Sequence, residues 1–376
     1  MVFNLFKKSS NSAKKADDKN KPSSRYYSLK VKEVVRETND AVTVYFDPAG
    51  REINYKPGQF FTLIMNINNQ SVRRSYSLCT SPDTDEYPGV TVKRVEGGLV
   101  SNYINDEVKA GDEIELMEPL GAFTTEISSN QERNLVFFGG GSGITPLMGL
   151  SKSILKLEPK TKITLVYANR DIDSIIFSSL LANLENTYEG RFKVFHVLES
   201  APENWNGYRG RMTPGIIGDV LGKISDQGAV TEYFMCGPEG MMMAISTAFR
   251  ELGLPKEKLR KESFTAGTPA AKTVDEPIPS SNTAAGVKEV KVIYDGEEYS
   301  FAVEEDKTIL ETALELDIDL PFSCQSGLCT ACRGKCLSGK VRMDEMEGLS
   351  DSEIEEGYVL TCVGHPLTDD VVIEIG

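Results

Sequence analysis

Histidine is nearly absent from this chain of 376 residues, which contains only His196 and His365. Haem groups and Rieske centres take histidine ligands, so neither a fused haem domain nor a two-histidine iron–sulfur site is expected. Long apolar runs are also missing: no stretch of 18 apolar residues occurs, which argues against a membrane span. The apolar run within residues 1–6 is too short for a signal peptide. We therefore expect a soluble, globular protein, and its seven cysteines, four of which have the spacing of metal ligands, fit a reducing cytoplasm.

Charge is distributed unevenly along the chain, whose formal net charge is −15. Residues 288–376 contain 21 acidic and 7 basic residues, a net charge of −14, so the rest of the chain is close to neutral. Such an acidic region disfavours nucleic acid as its partner. Two interpretations stay open: a solvated acidic surface, or a docking face for a basic protein partner whose association depends on salt.

Two segments have compositions that disfavour a packed core. Residues 1–25 carry seven basic and two acidic residues, which predicts a disordered tail; weak membrane association through Phe3, Leu5 and Phe6 is the alternative. Residues 265–287 contain three prolines and no aromatic residue, which predicts a semi-extended linker. The remaining chain is expected to form three domains, at residues 26–130, 131–264 and 288–376.

The first predicted domain is rich in β-strands. Alternating apolar runs occur at residues 28–35, 41–46, 60–67 and 90–95, separated by turn signals such as Pro57-Gly58. Several short strands at this spacing are typical of an antiparallel β-barrel.

The second predicted domain alternates strands with helices. Strands are expected at residues 135–138, 161–168, 192–198 and 232–236, and helices from Pro146 and at residues 176–184. This alternation predicts an α/β domain with a parallel sheet.

The third predicted domain begins with a hairpin at residues 290–303, whose Asp295-Gly296 suits a tight turn. A helix is expected at residues 309–316. Ser350 and Glu353 form a predicted capping box that opens another helix.

Four cysteines in this third domain carry the strongest functional signal. Their spacing, C-x4-C-x2-C and then a fourth cysteine after 29 further residues, is that of plant-type [2Fe–2S] ligands. Small residues in the loop let backbone N–H groups approach the sulfur atoms. A zinc site would favour two C-x2-C pairs, of which there is one, and disulfides suit small secreted domains. The predicted ligands are Cys324, Cys329, Cys332 and Cys362, and the expected free thiols are Cys79, Cys236 and Cys336.

A flavin site is indicated by two motifs of the first domain. In Arg73-Arg74-Ser75-Tyr76-Ser77, an arginine can neutralise a phosphate, a tyrosine can stack on a flat ring and a serine can bind a ring heteroatom. Taken alone, such a segment is more often ordinary surface structure. The glycines and serine of Gly97-Gly98-Leu99-Val100-Ser101, near an expected helix start, add backbone N–H groups for a diphosphate.

A dinucleotide site is indicated in the second domain. The run GGGSGITP at residues 139–146 lies between a strand and a helix, where backbone amides and the helix dipole can hold a pyrophosphate. Pro146 occupies the third glycine position, so the run departs from G-x-G-x-x-G; a glycine turn without a ligand is the alternative. Cys236-Gly237-Pro238 closes a later strand, and taken alone Cys236 would be a buried core cysteine.

Together these segments resemble the ferredoxin–NADP reductase superfamily: R-x-Y-S at residues 74–77, G-x-x-S at 98–101, G-x-G-x-T-P at 141–146 and C-G-P at 236–238. With the cysteine motif, the order over residues 26–376 resembles the reductase components of bacterial multicomponent oxygenases. The resemblance implies an antiparallel β-barrel flavin domain, an α/β parallel-sheet NAD(P) domain and an α+β ferredoxin domain of the β-grasp type.

The resemblance also implies residue roles. The flavin would be FAD, although FMN-containing relatives share R-x-Y-S. An acid and an aromatic residue near the flavin would come from Glu262-Ser263-Phe264. The predicted catalytic residues are Tyr76, Ser77 and Cys236. The predicted cofactor-binding residues are Arg74, Ser75, Tyr76, Ser77, Gly98, Leu99, Val100, Ser101, Gly140, Gly141, Ser142, Gly143, Thr145, Pro146, Asn169, Arg170, Cys236, Gly237, Pro238 and Phe264.

The choice of nucleotide depends on the strand end where the family places the adenosine ribose. Arg170 lies there and could meet a 2′-phosphate, assisted by Arg209 or Arg211. No Asp or Glu ends that strand to bind a free 2′-hydroxyl, since Asp171 follows Arg170. The sequence therefore favours NADPH, with NADH as the alternative.

The predicted function is a one-to-two electron converter, in which NADPH reduces the flavin and the [2Fe–2S] cluster passes single electrons to a partner, an oxygenase component. No triad, catalytic carboxylate pair or organic-substrate motif can be identified, so an oxidised substrate would bind to that partner. The alternatives are a general reductase for other acceptors, a relay subunit that does not oxidise NAD(P)H, and a redox sensor using Cys79 or Cys336.

Overall fold

The computed structural model describes residues 26–224, 230–264, 286–325, 327, 329–346 and 348–375. The predicted tail at residues 1–25 and nearly all of the predicted linker lie outside the described residues. No helix in the described part of the chain is long and apolar enough to cross a membrane.

The first region is an antiparallel barrel around one apolar core. Its six strands are hydrogen-bonded in the order β4-β3-β6-β1-β2-β5, and a bridge between Leu78 and Val90 joins the two ends. Asn68 and Asn69, with φ of 54° and 61°, make the two-residue turn between the third and fourth strands. The elements are β1 (Tyr26–Thr38), β2 (Ala41–Asp47), β3 (Phe60–Ile67), β4 (Gln70–Ser77), β5 (Gly89–Lys93), α1 (Leu99–Asp106) and β6 (Glu113–Met117).

The second region is a parallel sheet of six strands in the order β10-β9-β8-β7-β11-β12. Its central strand is buried throughout, and separate apolar clusters lie on the two faces of the sheet. The elements are β7 (Arg133–Gly140), α2 (Ile144–Leu157), β8 (Lys162–Asn169), α3 (Ser178–Thr187), β9 (Phe192–Leu198), β10 (Tyr208–Arg209), α4 (Pro214–Lys223), β11 (Val230–Cys236), α5 (Glu239–Glu251) and β12 (Leu259–Glu262).

This strand order predicts where a ligand crevice lies in the second region. After β7 the chain adds β8, β9 and β10 in one direction, and then returns to place β11 on the other side of β7. Ligands of open α/β sheets bind outside the carboxyl ends of the strands where the order reverses in this way. The site is therefore expected beyond Gly140 and Cys236.

The third region is a mixed sheet in the order β14-β13-β19-β15-β17, with a two-stranded sheet of β16 and β18 beside it. Asp295 and Gly296, with φ of 55° and 77°, form the hairpin turn that the sequence predicts. Both short helices begin with capping boxes, Thr308 with Glu311 and Ser350 with Glu353. The elements are β13 (Lys288–Tyr294), β14 (Glu297–Val303), α6 (Ile309–Glu315), β15 (Arg333–Ser338), β16 (Val341–Met343), α7 (Asp351–Glu355), β17 (Tyr358–Leu360), β18 (Gly364–Pro366) and β19 (Val371–Ile375).

The predicted fold class is confirmed: an antiparallel β-barrel, a parallel α/β domain and a β-grasp ferredoxin domain follow one another along the chain.

Candidate functional site

The glycine loop after β7 packs directly against the end of β11. Gly139 lies opposite Cys236 in the parallel pairing of these strands. A Cβ atom on Gly143 would lie 2.0 Å from the carbonyl oxygen of Cys236, so only glycine fits there. A Cβ atom on Gly237 would lie 3.0 Å from the backbone of Gly140. The two motifs that the sequence singled out therefore form one structure at the crevice.

The loop turns sharply before the helix begins. Gly141 has φ of 52°, and its carbonyl oxygen accepts a hydrogen bond of 2.9 Å from the Tyr167 hydroxyl. Helix α2 starts at Ile144, so Pro146 lies in its first turn, where a missing N–H costs no helical hydrogen bond. Thr145 donates to the Ser142 carbonyl over 3.0 Å. The N-terminus of this 14-residue helix faces the crevice end of the sheet, a favourable place for a pyrophosphate.

A cleft lies at this loop, between the barrel and the α/β domain. Phe264, a predicted binding residue, lines the cleft and is 39% exposed. Lys93, which the sequence analysis did not select, reaches the cleft from strand β5 of the barrel. Burial lowers the pKa of Lys93, and its Nζ lies 3.9 Å from Asp40. The cleft is lined by Lys93, Gly140, Gly141, Ser142, Gly237, Pro238, Glu239 and Phe264.

Three residues from three strands meet beside the cleft. Ser77, at the end of β4, donates a hydrogen bond of 3.1 Å to Oε2 of Glu262. Glu262 lies opposite Cys236 in the pairing of β12 with β11. Desolvation raises the pKa of Glu262 to about 8, and burial raises the pKa of the Cys236 thiol well above its usual value. The site therefore holds a neutral acid and a neutral thiol at pH 7.

The flavin motif runs along β4, the edge strand of the barrel. Tyr76 lies opposite Phe61 on β3 and packs on the barrel core, and burial raises its pKa. Ser75 is hydrogen-bonded to Thr62 over 3.1 Å. Arg74 is exposed, and its guanidinium donates to the Arg73 carbonyl over 2.7 Å. An exposed guanidinium of this kind is open to a phosphate.

The second flavin motif forms a tight turn into α1. Gly97 has φ of 69°, and Gly98 is the N-cap of the helix. The Ser101 hydroxyl accepts a hydrogen bond of 3.1 Å from the Val95 N–H, and a Cβ atom on Gly98 would lie 2.7 Å from it. Leu99 is exposed whereas Val100 is buried. A diphosphate can approach the backbone N–H groups of this helix start because Gly98 has no side chain.

The strand ends that would face the adenosine ribose carry opposite charges. Arg170 is paired with Asp40 over 2.6 Å. Arg211 is paired with Glu199 over 3.3 Å, and the Glu199 N–H donates to the carbonyl of Asn169. The acid that is missing at the end of β8 is therefore present at the end of the neighbouring strand β9. The sequence analysis missed Glu199 because only the strand order makes the two ends adjacent.

Arg209 is the other arginine that the sequence analysis suggested for a 2′-phosphate. Its guanidinium binds the protein backbone instead. It donates to carbonyl oxygens of residues 201, 202, 203 and 205. These bonds hold the loop between β9 and β10.

Strand pairing brings two of the four predicted cluster ligands together. Cys332 directly precedes β15 and Cys362 follows β17, and these strands are antiparallel with Arg333 opposite Leu360. The Thr361 N–H donates to the Cys332 carbonyl over 3.1 Å. Cys324 and Cys329 come from the preceding loop.

Left-handed backbone conformations curl that loop. Gln325 and Gly327 have φ of 53° and 74°. The Gly348 N–H donates to the Gly327 carbonyl over 2.8 Å and holds the loop against the segment before α7.

The four thiols interact with one another. A hydrogen bond with Cys324 raises the pKa of Cys329, and hydrogen bonds with Cys324 and Cys332 raise that of Cys362. The Cys362 thiol in turn lowers the pKa of Cys332. Neighbouring thiolates repel, so four of them can ionise together only around cations. This donor set fits a [2Fe–2S] cluster, whose irons take four thiolates.

Three family models match the chain, in the order of these sites. An oxidoreductase FAD-binding domain matches residues 27–125, an oxidoreductase NAD-binding domain matches residues 137–247, and a 2Fe-2S iron-sulfur cluster binding domain matches residues 292–367. The chain is therefore an oxidoreductase with FAD, NAD(P)H and a [2Fe–2S] cluster as its cofactors.

Relatives extend over nearly the whole chain. It is 37% identical to the ferredoxin reductase component of 3-ketosteroid-9-alpha-monooxygenase from Rhodococcus rhodochrous, over 93% of this chain and 97% of the relative. It is 32% identical to one subunit of 1,2-phenylacetyl-CoA epoxidase from Escherichia coli K12, with the same coverage, 93% and 97%. The solved structure of phthalate dioxygenase reductase shares the fold, with a TM-score of 0.56 and 22% identity over 93% of this chain and 98% of that one. The chain belongs to the oxygenase-reductase family of the ferredoxin–NADP reductase superfamily.

Proposed function

We propose that this reductase delivers electrons from NAD(P)H, through FAD and the [2Fe–2S] cluster, to an oxygenase component. The proposal rests on one observation: Ser77 of the flavin motif donates a hydrogen bond to Glu262, which lies next to Cys236 and the glycine loop. One relative named above is the ferredoxin reductase component of a monooxygenase, and the other is part of an epoxidase. The class of acceptor is taken from them.

The barrel residues have the roles of holding and orienting the flavin in this proposal. Arg74 binds a phosphate, Tyr76 and Ser75 position the ring system, and residues 98–101 offer N–H groups to the diphosphate. Bound FAD supplies a two-electron acceptor that can be reoxidised one electron at a time. Ser77 directs its hydroxyl to Glu262, and this bond links the flavin strand to the nucleotide domain.

The α/β domain positions the nucleotide. Residues 140–146 hold its pyrophosphate at the start of α2, and Lys93 adds a positive charge from the barrel side. Cys236, Gly237 and Pro238 would flank the path of the hydride at the end of β11, and Phe264, which lines the cleft, would lie near the flavin. Because Cys236 is fully buried and its pKa is raised, it acts as a neutral, water-excluding surface.

The nucleotide itself is proposed to be NADPH, through Arg170, with NADH as the competing donor. Arg170 favours a 2′-phosphate, whereas Glu199 favours a free 2′-hydroxyl, and each has an oppositely charged partner. The relative strength of the Arg170–Asp40 and Arg211–Glu199 pairs determines the preference between NADPH and NADH.

The ferredoxin domain presents the outgoing electron, with Cys324, Cys329, Cys332 and Cys362 as cluster ligands. We propose the cytoplasm as its location, since the three cysteines outside the cluster motif, Cys79, Cys236 and Cys336, are free thiols. Its acidic surface is proposed to meet a basic face of the acceptor.

An anaerobic titration of the purified holoprotein tests the proposal. NADPH and NADH, added separately, are expected to bleach the flavin bands first and the iron–sulfur absorbance afterwards. Addition of an oxidised oxygenase component should then restore the iron–sulfur absorbance. If neither nucleotide reduces a chain that contains both cofactors, the protein is a relay subunit and the proposal is wrong.

A further inference from the structure

Arg73 joins the barrel to the ferredoxin domain. It lies on strand β4, directly before the R-x-Y-S motif of residues 74–77 and outside the predicted binding residues, and its side chain is only 20% exposed. The guanidinium carbon lies 4.3 Å from the centre of the Phe322 ring, and Nη2 lies 3.6 Å from Oδ1 of Asp319. On the barrel side the guanidinium faces the Tyr26 ring at 5.9 Å.

Asp319 receives a second contact from the same surface of the barrel. The Tyr26 hydroxyl donates a hydrogen bond to Oδ2 of Asp319. Burial raises the pKa of Tyr26 to about 12, so its hydroxyl stays protonated and remains a donor at neutral pH. Two barrel residues therefore bind one carboxylate, and a ring beside it stacks on the arginine.

This contact is close to both redox sites along the chain. Arg73 is four residues before Ser77, and Phe322 is two residues before the predicted cluster ligand Cys324. Since a residue spans about 3.3–3.6 Å of extended chain, the contact tethers the cluster loop within a few residues of the barrel. A change at Arg73 is thus transmitted to the position of that loop.

We propose that Arg73 is a positioning residue for electron transfer from the flavin to the cluster, because it docks the ferredoxin domain on the barrel through Asp319 and Phe322. The inference rests on the proposed function. In the step that Arg73 serves, one electron leaves the reduced flavin and reduces one ferric iron to ferrous, and no bond forms or breaks between the domains.

The contact also allows the ferredoxin domain to separate from the barrel. The Asp319 side chain is 51% exposed, so its ion pair with Arg73 is only partly removed from water. An ion pair that water and salt can screen stabilises the docked state only weakly. A weakly favoured docked state lets the cluster leave the barrel and meet its acceptor.

Charge reversal tests the docking role in the full-length holoprotein. Arg73→Glu and Asp319→Arg are each expected to slow cluster reduction in stopped-flow traces by about tenfold or more, since a charge pair becomes a repulsion. Flavin reduction by nucleotide and flavin content should stay unchanged. The Arg73→Glu/Asp319→Arg double variant should recover much of the rate. Arg51→Glu is the matched control, since Arg51 lies over Tyr27 within the barrel at 5.3 Å.

Small-angle X-ray scattering gives a readout that does not depend on turnover. The radius of gyration of Arg73→Glu should exceed that of the wild type and of Arg51→Glu, and the double variant should return to the wild-type value. Unchanged cluster reduction with an unchanged radius overturns the proposal, and so does a loss of flavin or slower flavin reduction in Arg73→Glu. If neither nucleotide reduces the wild type, the proposed function fails, while the scattering comparison still decides whether Arg73 docks the domain.

Discussion

Glu262 is a side chain of the site whose protonation changes near neutral pH. Desolvation raises its pKa from 4.5 to about 8, although the Ser77 hydroxyl donates to it. The folded-state pKa is therefore above the unfolded-state value. The contribution of Glu262 to stability is complete below pH 4.5 and is lost as the pH rises through 8.

Glu262→Gln should remove this pH dependence, because the amide stays neutral. Between about pH 5 and about pH 9, the melting temperature of the wild type should fall relative to that of the variant. The rate of flavin reduction should also fall above pH 8 in the wild type, since Glu262 is proposed to lie beside bound FAD, where a carboxylate would oppose electron uptake. Glu126→Gln, at a side chain that is 89% exposed, is the control. Parallel pH curves for all three chains would contradict the raised pKa.

Lys93 gives a second residue-scale prediction. It is the cation that the barrel directs into the nucleotide cleft, so Lys93→Ala should raise KM for NAD(P)H by about tenfold, with a smaller effect on kcat. Flavin content should not change. Lys32→Ala is the matched control, because Lys32 lies over the Tyr87 ring elsewhere on the barrel. Equal KM values for the two variants would show that Lys93 does not contribute to nucleotide binding.

Glu199 should influence the choice between NADPH and NADH. A carboxylate near the 2′-phosphate repels it, and removal of one such interaction is worth about 1–1.5 kcal/mol, or roughly tenfold. We expect Glu199→Gln to raise the ratio of kcat/KM for NADPH to that for NADH by this factor, and Arg170→Ala to lower it. Glu189→Gln, before the opposite end of β9, should leave the ratio unchanged. The idea is wrong if Glu199→Gln shifts the ratio towards NADH.

At the scale of elements, a buried ion cluster joins two strands and a helix of the α/β domain. Arg133 at the start of β7 donates to Glu158 over 2.9 and 3.2 Å, and to Glu232 of β11 over 2.8 Å. Glu158, just after α2, also accepts from Thr161 over 2.6 Å. The side chains of Arg133 and Glu158 are only 6% and 0% exposed, so either charge alone would be buried without compensation.

We predict that Arg133→Met lowers the free energy of unfolding of this domain by about 3–5 kcal/mol, because Glu158 is left as an unpaired buried charge. Urea denaturation followed by circular dichroism measures the loss. Lys160→Met is the matched control, since its pair with Glu132 is exposed on both sides and should contribute less than about 1 kcal/mol. A double change of Arg133 and Glu158 to apolar residues should recover part of the loss. Equal effects of the two methionine variants would show that the cluster is not structural.

The elements differ in how well the sequence predicts them. Phe60–Ile67 and Phe192–Leu198 are predicted to the residue, because apolar runs of strand length end at turns there. The predicted helix at 176–184 begins instead at Ser178, since Phe177 adopts a left-handed conformation with φ of 62°. Strand β12 (Leu259–Glu262) is short and polar, and only its pairing with β11 defines it.

The same limit applies to the site. Motifs made of neighbouring residues, such as the cysteine loop and the glycine run, are visible in the sequence. Lys93, Glu199 and the Arg73–Asp319 pair are not, because each depends on contacts between elements that are far apart in the chain.

At the scale of the whole molecule, the domains must satisfy two opposed requirements. The cluster has to approach the flavin, which the contact of Arg73 with Asp319 and Phe322 favours, and it has to reach an external acceptor. The acidic charge of residues 288–376 adds long-range attraction to a basic partner. Residues 265–287, whose composition predicts a semi-extended linker, must then allow both positions.

Shortening this segment should affect electron delivery to the acceptor without affecting reduction of the cluster. Removal of ten residues from residues 265–285 leaves 11 residues and about 40 Å of reach at about 3.3–3.6 Å per residue, which restricts movement away from the barrel more than docking on it. We therefore expect flavin and cluster reduction to keep their wild-type rates. Reduction of the acceptor protein should fall about tenfold or more, because the barrel still covers the surface of the ferredoxin domain that the acceptor must contact. Replacement of the same ten residues by Gly and Ser, at unchanged length, is the control. If the shortened chain reduces its acceptor as fast as the control, release of the ferredoxin domain is not required for electron delivery, and the acceptor must bind the docked form.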